Sequence, residues 1–181
     1  MLFRLATSQD LNAAVAILHD GRASLAAQGS DQWQGGAPFE DMAAHDIDAG
    51  ALWVAENNEG VLVGVITLLT CGEDDYRRVE HGAWLTDSAN ALSEGTVSYA
   101  VLHRLAVHHS YVRQGVATFL LQSSFEQARK LGMKSVRVDT HEKNLPMQHG
   151  FLQCGMTQCC DITITSPFEP TKERVGFEIL L

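Results

Sequence analysis

The chain has little to cross-link it. Its four cysteines, Cys71, Cys154, Cys159 and Cys160, form no CxxC pair, and adjacent Cys159 and Cys160 would face opposite sides of a strand. That suits neither a shared metal nor an easy disulfide, so reduced thiols and a cytoplasmic location are expected. No apolar run approaches the ~18 residues of a membrane span. The opening MLFRLATSQDLN lacks a signal-peptide pattern, its apolar stretch being short and soon followed by an acidic residue. Basic charge is scarce early on: residues 1–96 hold 4 Lys+Arg against 15 Asp+Glu, whereas residues 97–181 hold 9 against 7. Nucleic acid and membrane are therefore not expected partners, since a phosphate-tracking surface needs a basic patch. The balance still leaves room for one small polyanion in the later half and favours a cationic guest in the earlier one.

Several motifs are missing too. GxxxxGK[ST] fails because Gly115 is followed by Val116, and GxGxxG is absent. HExxH fails at His141-Glu142-Lys143-Asn144-Leu145, and the eight histidines show no other zinc spacing, so no metal is expected.

What is present fits one domain over residues 1–181, with 45% hydrophobic residues and enough length for a single core. Thr7 and Asp10 make a capping-box-like pair ahead of Leu11, Ala14, Val15 and Leu18 at helical spacing. QGSDQWQGGAP, Gln28 to Pro38, breaks this helix, and a second short one spans about Phe39 to Ile47, stopped at Gly50. ALWVAE and VLVGVITLLT flank a polar turn and form a hairpin. Residues 71–96 resist assignment apart from a candidate strand around HGAWL, and a stretch of that kind is often functional. SYAVLHRLAV then forms a strand, Gly115 to Leu131 an amphipathic helix and SVRVDT another strand, a crossover that implies a parallel pair. QCCDITI and RVGFEILL add two more strands, giving a mixed sheet in an α/β domain.

A strand, a glycine turn and a helix start leave backbone amides without intrahelical partners, where the helix dipole favours a phosphate or pyrophosphate. Gly115 lets a ligand approach closely, Ala117 keeps the next turn small, Arg113 adds charge and Thr118 a hydroxyl. The plain alternative is that Gly115 merely permits a tight turn.

HRLAVHHSYVRQGVATFLLQ, followed by VRVDTHEKNLPMQHGFLQCGM, resembles the acetyl-CoA-binding core of the GNAT superfamily of N-acetyltransferases. In that family a Gln/Arg-x-x-Gly-x-Gly/Ala signature follows the fourth strand, and its amides hold the coenzyme's pyrophosphate. Gly115 and Ala117 match it, and Asn144 matches a later asparagine that contacts pantetheine. The resemblance spans nearly the whole chain and includes a bacterial subgroup with a Gly-Ser-Asp-Gln-Trp loop, here Gly29 to Trp33. It implies a GNAT-like mixed sheet, a strand–turn–helix–strand coenzyme core and an N-terminal helix pair. It also implies acetyl-CoA held by Leu105, Ala106, Val107, Arg113, Gln114, Gly115, Val116, Ala117, Thr118 and Asn144, with a homodimer as an option. Three departures stand out: Val112 replaces the usual Gln or Arg, Phe151 a tyrosine that protonates the leaving thiolate, and Met156 a phenylalanine.

Acetyl transfer needs a neutral amine, although a free alkylamine has a pKa of about 10.4. It also needs a fixed donor for the carbonyl oxygen. His103, on the strand where relatives place a glutamate, is the first candidate for general base. A packed core histidine is the alternative, with Glu80 and His81 as reserves; His141 follows the fifth strand and could face the cleft, but a surface place is expected. Trp33 and Trp84 are candidates for the acceptor pocket, with capping of the core as the alternative for each, and Tyr99 or Tyr111 for the missing acid. The leading expectation is an N-acetyltransferase acting on a primary amine of a small molecule or peptide by direct attack. A non-catalytic acyl-CoA-binding module is the runner-up, and a phosphate-binding enzyme of unrelated fold the third reading.

Overall fold

The computed structural model describes residues 1–36, 40–86 and 97–181. Pro38, Phe39 and the last part of the acidic segment, residues 87–96 with Gly95, lie outside the described residues.

Strand β1 (Leu2–Leu5) leads through a single 3-10 turn, Ser8–Asp10, into helix α1 (Leu11–Ala27). The Thr7–Asp10 pair does cap this entry: the Thr7 amide and hydroxyl both donate to Asp10 Oδ2, at 2.8 and 2.9 Å. Helix α2 (Glu40–Asp48) follows, then the hairpin of β2 (Leu52–Glu56) and β3 (Leu62–Leu69). The difficult stretch holds a 3-10 turn at Asp74–Arg77 and strand β4 (Val79–Gly82). That strand lies slightly before HGAWL, because Gly82 turns at φ 77 and Trp84 leaves the ladder for the core. Strand β5 (Tyr99–Val107), helix α3 (Val116–Lys130) and strand β6 (Ser135–Thr140) form the expected crossover. Helix α4 (Leu145–Gln153) and strands β7 (Thr157–Thr163) and β8 (Glu173–Leu180) complete the chain.

The eight strands among the described residues join one mixed sheet in the order β1-β2-β3-β5-β6-β8-β7-β4. Among the described residues only β5 and β6 run parallel, and their pairing stops after Tyr99–Ser135, Ala100–Val136 and Val101–Arg137. Beyond that point β5 stays with β3 as far as Val107, while β6 stays with β8 as far as Thr140. The sheet therefore parts into two halves at its centre. On one face α3 buries Val116, Leu120, Leu121, Ser124, Phe125 and Ala128. Leu131, expected on the same face, is exposed because the helix has already ended there. Helix α3 starts hard against β3: a Cβ on Gly64 would sit 2.8 Å from Val116 Cγ1 and 2.9 Å from Leu120 Cδ1. Glycine at that point sets how close the helix start comes to the sheet.

A buried polar knot ties the second half to the chain before residue 87. Arg137 and Glu178 are both fully buried, with Nε 3.1 Å from Oε1. The Arg137 guanidinium lies over Tyr99 at 4.0 Å and Trp84 at 4.6 Å. Glu178 also accepts from the Leu85 amide at 2.6 Å and the Ser135 hydroxyl at 2.6 Å.

Candidate active site

Helix α3 begins without a side-chain cap, and its N-cap, Gly115, has φ 81 and ψ 4. The Phe119 amide donates to the Gly115 carbonyl at 2.9 Å. The amides of Val116, Ala117 and Thr118 precede that bond and have no intrahelical acceptor. Arg113, two residues back, also adopts a positive φ of 62, and Val112 to Gly115 are all exposed. A Cβ on Gly115 would meet nothing within 4 Å, so the glycine serves the dihedral and the corner stands open. An L side chain forced into that region costs roughly 1–2 kcal/mol.

The parted sheet borders a cavity of about 480 Å³, which reaches α3 at Leu121. Its walls include Leu102 to Leu105 of β5, Val138 to Thr140 of β6, Leu121 of α3, and Met147 and Phe151 of α4. The opening is reinforced by an extra residue in β5, where the register with β3 shifts between Val65 and Thr67. Arg104 occupies this bulge at φ 52, a strained value for a side chain of its size. A buried clamp holds it there. Asp46 of α2 accepts from Arg104 Nε at 2.7 Å and Nη2 at 2.8 Å, and from the Thr67 hydroxyl at 2.7 Å.

The far end of the cavity is acidic. Asp46, Glu73, Asp75, Asp139 and Glu169 line it against two guanidiniums, Arg104 and Arg174. His103 lines the wall, with Nε2 3.1 Å from Glu73 Oε2. That hydrogen bond is the main reason the Glu73 carboxyl is held below its ordinary range. The Tyr76 hydroxyl donates to Asp139 Oδ1 at 2.9 Å, and burial, then the Asp139 charge, push its pKa well above the ordinary phenol value. Arg174 bonds Glu169 at 2.9 Å, yet burial still raises the Glu169 carboxyl.

The Gly29–Trp33 loop straps across this end. Gln32 Oε1 accepts from the Thr140 hydroxyl and the His141 amide, each at 3.2 Å. The Trp33 amide donates to Glu169 Oε2 at 3.0 Å, with Trp33 at φ 66 and its indole lining the cavity.

Of the residues expected from sequence, His103, Leu105 and Trp33 face the cavity. Ala106 is buried in a core cluster with α1 residues Ala14, Ile17 and Leu18, against which Trp33 packs, and Val107 packs on the cluster around α3. Asn144 caps α4 and donates to the Thr140 hydroxyl at 2.9 Å, which places it at the cavity rim. Trp84 is elsewhere, correcting its expected place in the acceptor pocket. It is 8% exposed, packs at a tilt against Tyr76, and gives its indole N–H to the Tyr76 carbonyl at 2.7 Å. Glu80 and His81 are exposed on β4 away from the cavity. His141, expected near the surface, is buried: Nδ1 accepts the Lys143 amide, Nε2 meets Asp31 at 3.2 Å, and burial lowers its pKa. Tyr99 lies under Arg137, and Tyr111 receives a weak bond from Asn57 at 3.4 Å; neither lines the cavity. Phe151 is packed on Phe177 with centroids 5.2 Å apart, and Met156 is buried in the same core. Sequence reasoning missed Glu73, Tyr76, Asp139, Glu169 and Arg174. The one available signal was that Glu73 and Tyr76 fall in the stretch that resisted assignment.

Among the described residues, Asp20, His108 and His109 offer metal-ligating atoms within 4.8 Å of one another. The two imidazoles are stacked at 4.5 Å and 23°, so their in-plane lone pairs run side by side instead of converging on one ion. No helix among the described residues is long and apolar enough to cross a membrane.

Residues 19–156 match the family model described as acetyltransferase (GNAT) family. A GNAT-family acetyltransferase from Streptococcus agalactiae superposes with a TM-score of 0.80 at 27% identity, covering 99% of this chain and 95% of that one. A ribosomal-protein-alanine N-acetyltransferase from Brucella melitensis shares the fold with a TM-score of 0.71 at 18% identity, covering 100% of both chains. So does an acetyltransferase from Salmonella typhimurium described with acetyl-CoA, with a TM-score of 0.67 at 16% identity, covering 100% and 94%. No curated protein matches in sequence.

Proposed function

The chain belongs to the acetyltransferase (GNAT) family, whose co-substrate is acetyl-CoA, and from that premise we propose that it acetylates a primary amine. The acceptor is a small molecule or peptide, and the reaction is direct attack with both substrates bound. The observation that carries this reading is the uncapped, open start of α3 beside a sheet that parts between β5 and β6. Main-chain donors of Gly115, Val116, Ala117 and Thr118, helped by Arg113 and Gln114, would hold the diphosphate. Leu105, Ala106, Val107 and Asn144 would border the pantetheine arm in the opening. The bound coenzyme supplies the activated acyl group; the protein's own part is to aim it and to manage the proton.

At the other end His103 takes the proton that the neutral amine nitrogen gives up as it attacks. Trp33 borders the acceptor, and the excess of carboxylates favours a cationic guest. A cytoplasmic setting fits the free cysteines, and a homodimer rests on the family resemblance alone.

The test is thiol release from acetyl-CoA across a panel of amines, beside calorimetric binding of CoA and ATP. Turnover that favours cationic amines is expected. Tight CoA binding with no turnover on any amine would mark a binding module instead, a reading that buried Phe151 and exposed Val112 favour. Binding of ATP without CoA would remove the proposal.

A further inference from the structure

His103 and Glu73 meet although 30 positions separate them in the chain, and this inference rests on the reading of His103 as the proton acceptor. Both side chains are mostly withdrawn from solvent, at 22% and 28% exposed, and both border the cavity. The carboxylate is fixed by each of its oxygens. Oε2 meets His103 Nε2 at 3.1 Å, while Oε1 accepts the Asp75 amide at 3.3 Å and so caps the Asp74–Arg77 turn.

An ionised carboxylate can only accept hydrogen bonds, so His103 Nε2 carries the hydrogen and the neutral ring's lone pair falls on Nδ1. Among the described residues Nδ1 has no protein partner. Each of the other carboxylates of the cavity has a partner of its own. Asp46 holds Arg104, Glu169 holds Arg174, Asp75 bonds Arg78 and Asp139 accepts from Tyr76; His45 adds an imidazole from α2. Glu73 is thus the one cavity carboxylate whose side-chain partner is the candidate base.

We infer that Glu73 is a positioning residue, fixing the His103 ring so that Nδ1 receives the proton of the acceptor amine. In the reaction a bond forms between the amine nitrogen and the thioester carbonyl carbon as the carbon–sulfur bond breaks. The amine's proton passes to Nδ1, and the Glu73 charge stabilises the resulting imidazolium. The ring then returns that proton to the departing thiolate or to solvent, and His103 is neutral again.

The test is a double-mutant cycle of wild type, Glu73→Gln, His103→Ala and the double variant, followed by kcat, both KM values and the pH–rate profile. Glutamine keeps the shape and the oxygen that caps the turn but removes the charge. Glu73→Gln should lower kcat by roughly ten- to a hundredfold and leave KM for acetyl-CoA within about twofold. The acidic limb should move to lower pH, because a neutral amide no longer favours the protonated ring. Glu73→Asp, which keeps the charge, should return the limb towards the wild-type position. In the His103→Ala background the Glu73→Gln change should have no further effect. An equal loss in both backgrounds, an unmoved limb or unchanged kcat overturns the inference. Such results leave the acetyltransferase reading intact if wild type still turns over amines; absence of turnover in wild type would sink both.

Discussion

At the proposed coenzyme site the groups that matter are main-chain amides at the start of α3, set by one backbone dihedral at Gly115. At the proposed acceptor site they are side chains brought together from β5, β6, the Asp74–Arg77 turn, the Gly29–Trp33 loop and the segment before β8. The first region is local, so a stretch of a dozen residues encodes it. The second exists only after the sheet has closed around it. A backbone site tolerates substitutions that keep its dihedrals, whereas a side-chain site depends on each partner at the end of a long-range contact. This contrast can be probed from both ends.

Gly115→Trp should give the largest effect on binding, weakening acetyl-CoA by about a thousandfold, or roughly 4 kcal/mol. The protein should stay folded, because nothing lies within 4 Å of the added Cβ, at a stability loss of roughly 1–2 kcal/mol from the dihedral. Calorimetry and circular dichroism check both parts. His103→Ala should do the converse: kcat falls by roughly a hundredfold or more, while affinity for acetyl-CoA is retained. A change that lowered both equally would mean that the two ends are not separable.

Asp46→Ala probes the clamp on the β5 bulge. It leaves a partly buried guanidinium and the Thr67 hydroxyl without their shared acceptor. The expected loss is about 3 kcal/mol, seen as a fall in Tm of roughly 10 °C. A variant as stable as wild type would show that the bulge holds itself. Arg113→Ala should be mildest, weakening coenzyme binding by roughly two- to fivefold and only at low salt, because the side chain is solvent-exposed.

The same contrast explains what was legible in the sequence. The crossover from β5 through α3 to β6 was readable because hydrophobic period, helix stop and Gly115 all lie within a few turns of one another. His103 and Trp33 were singled out by their place in such local patterns, and both line the cavity. Trp84 was misplaced because an indole in a glycine-rich stretch looks the same whether it lines a cleft or, as here, packs under Arg137 and Tyr76. Glu73 and Asp139 were invisible: each is one carboxylate among many until folding sets it against His103 or Tyr76. Arg104 carried no signal either, since a positive φ at a non-glycine residue becomes readable only with its buried partner Asp46 in view.

The central claim is that unpaired amides at the start of α3 hold the coenzyme's diphosphate. Titrating CoA into isotope-labelled protein and following backbone amide resonances tests it most directly. The account predicts that Gly115, Val116, Ala117 and Thr118 shift strongly and together, and that pantetheine, which lacks the diphosphate, leaves them nearly unmoved. CoA binding that left those four amides in place would contradict it.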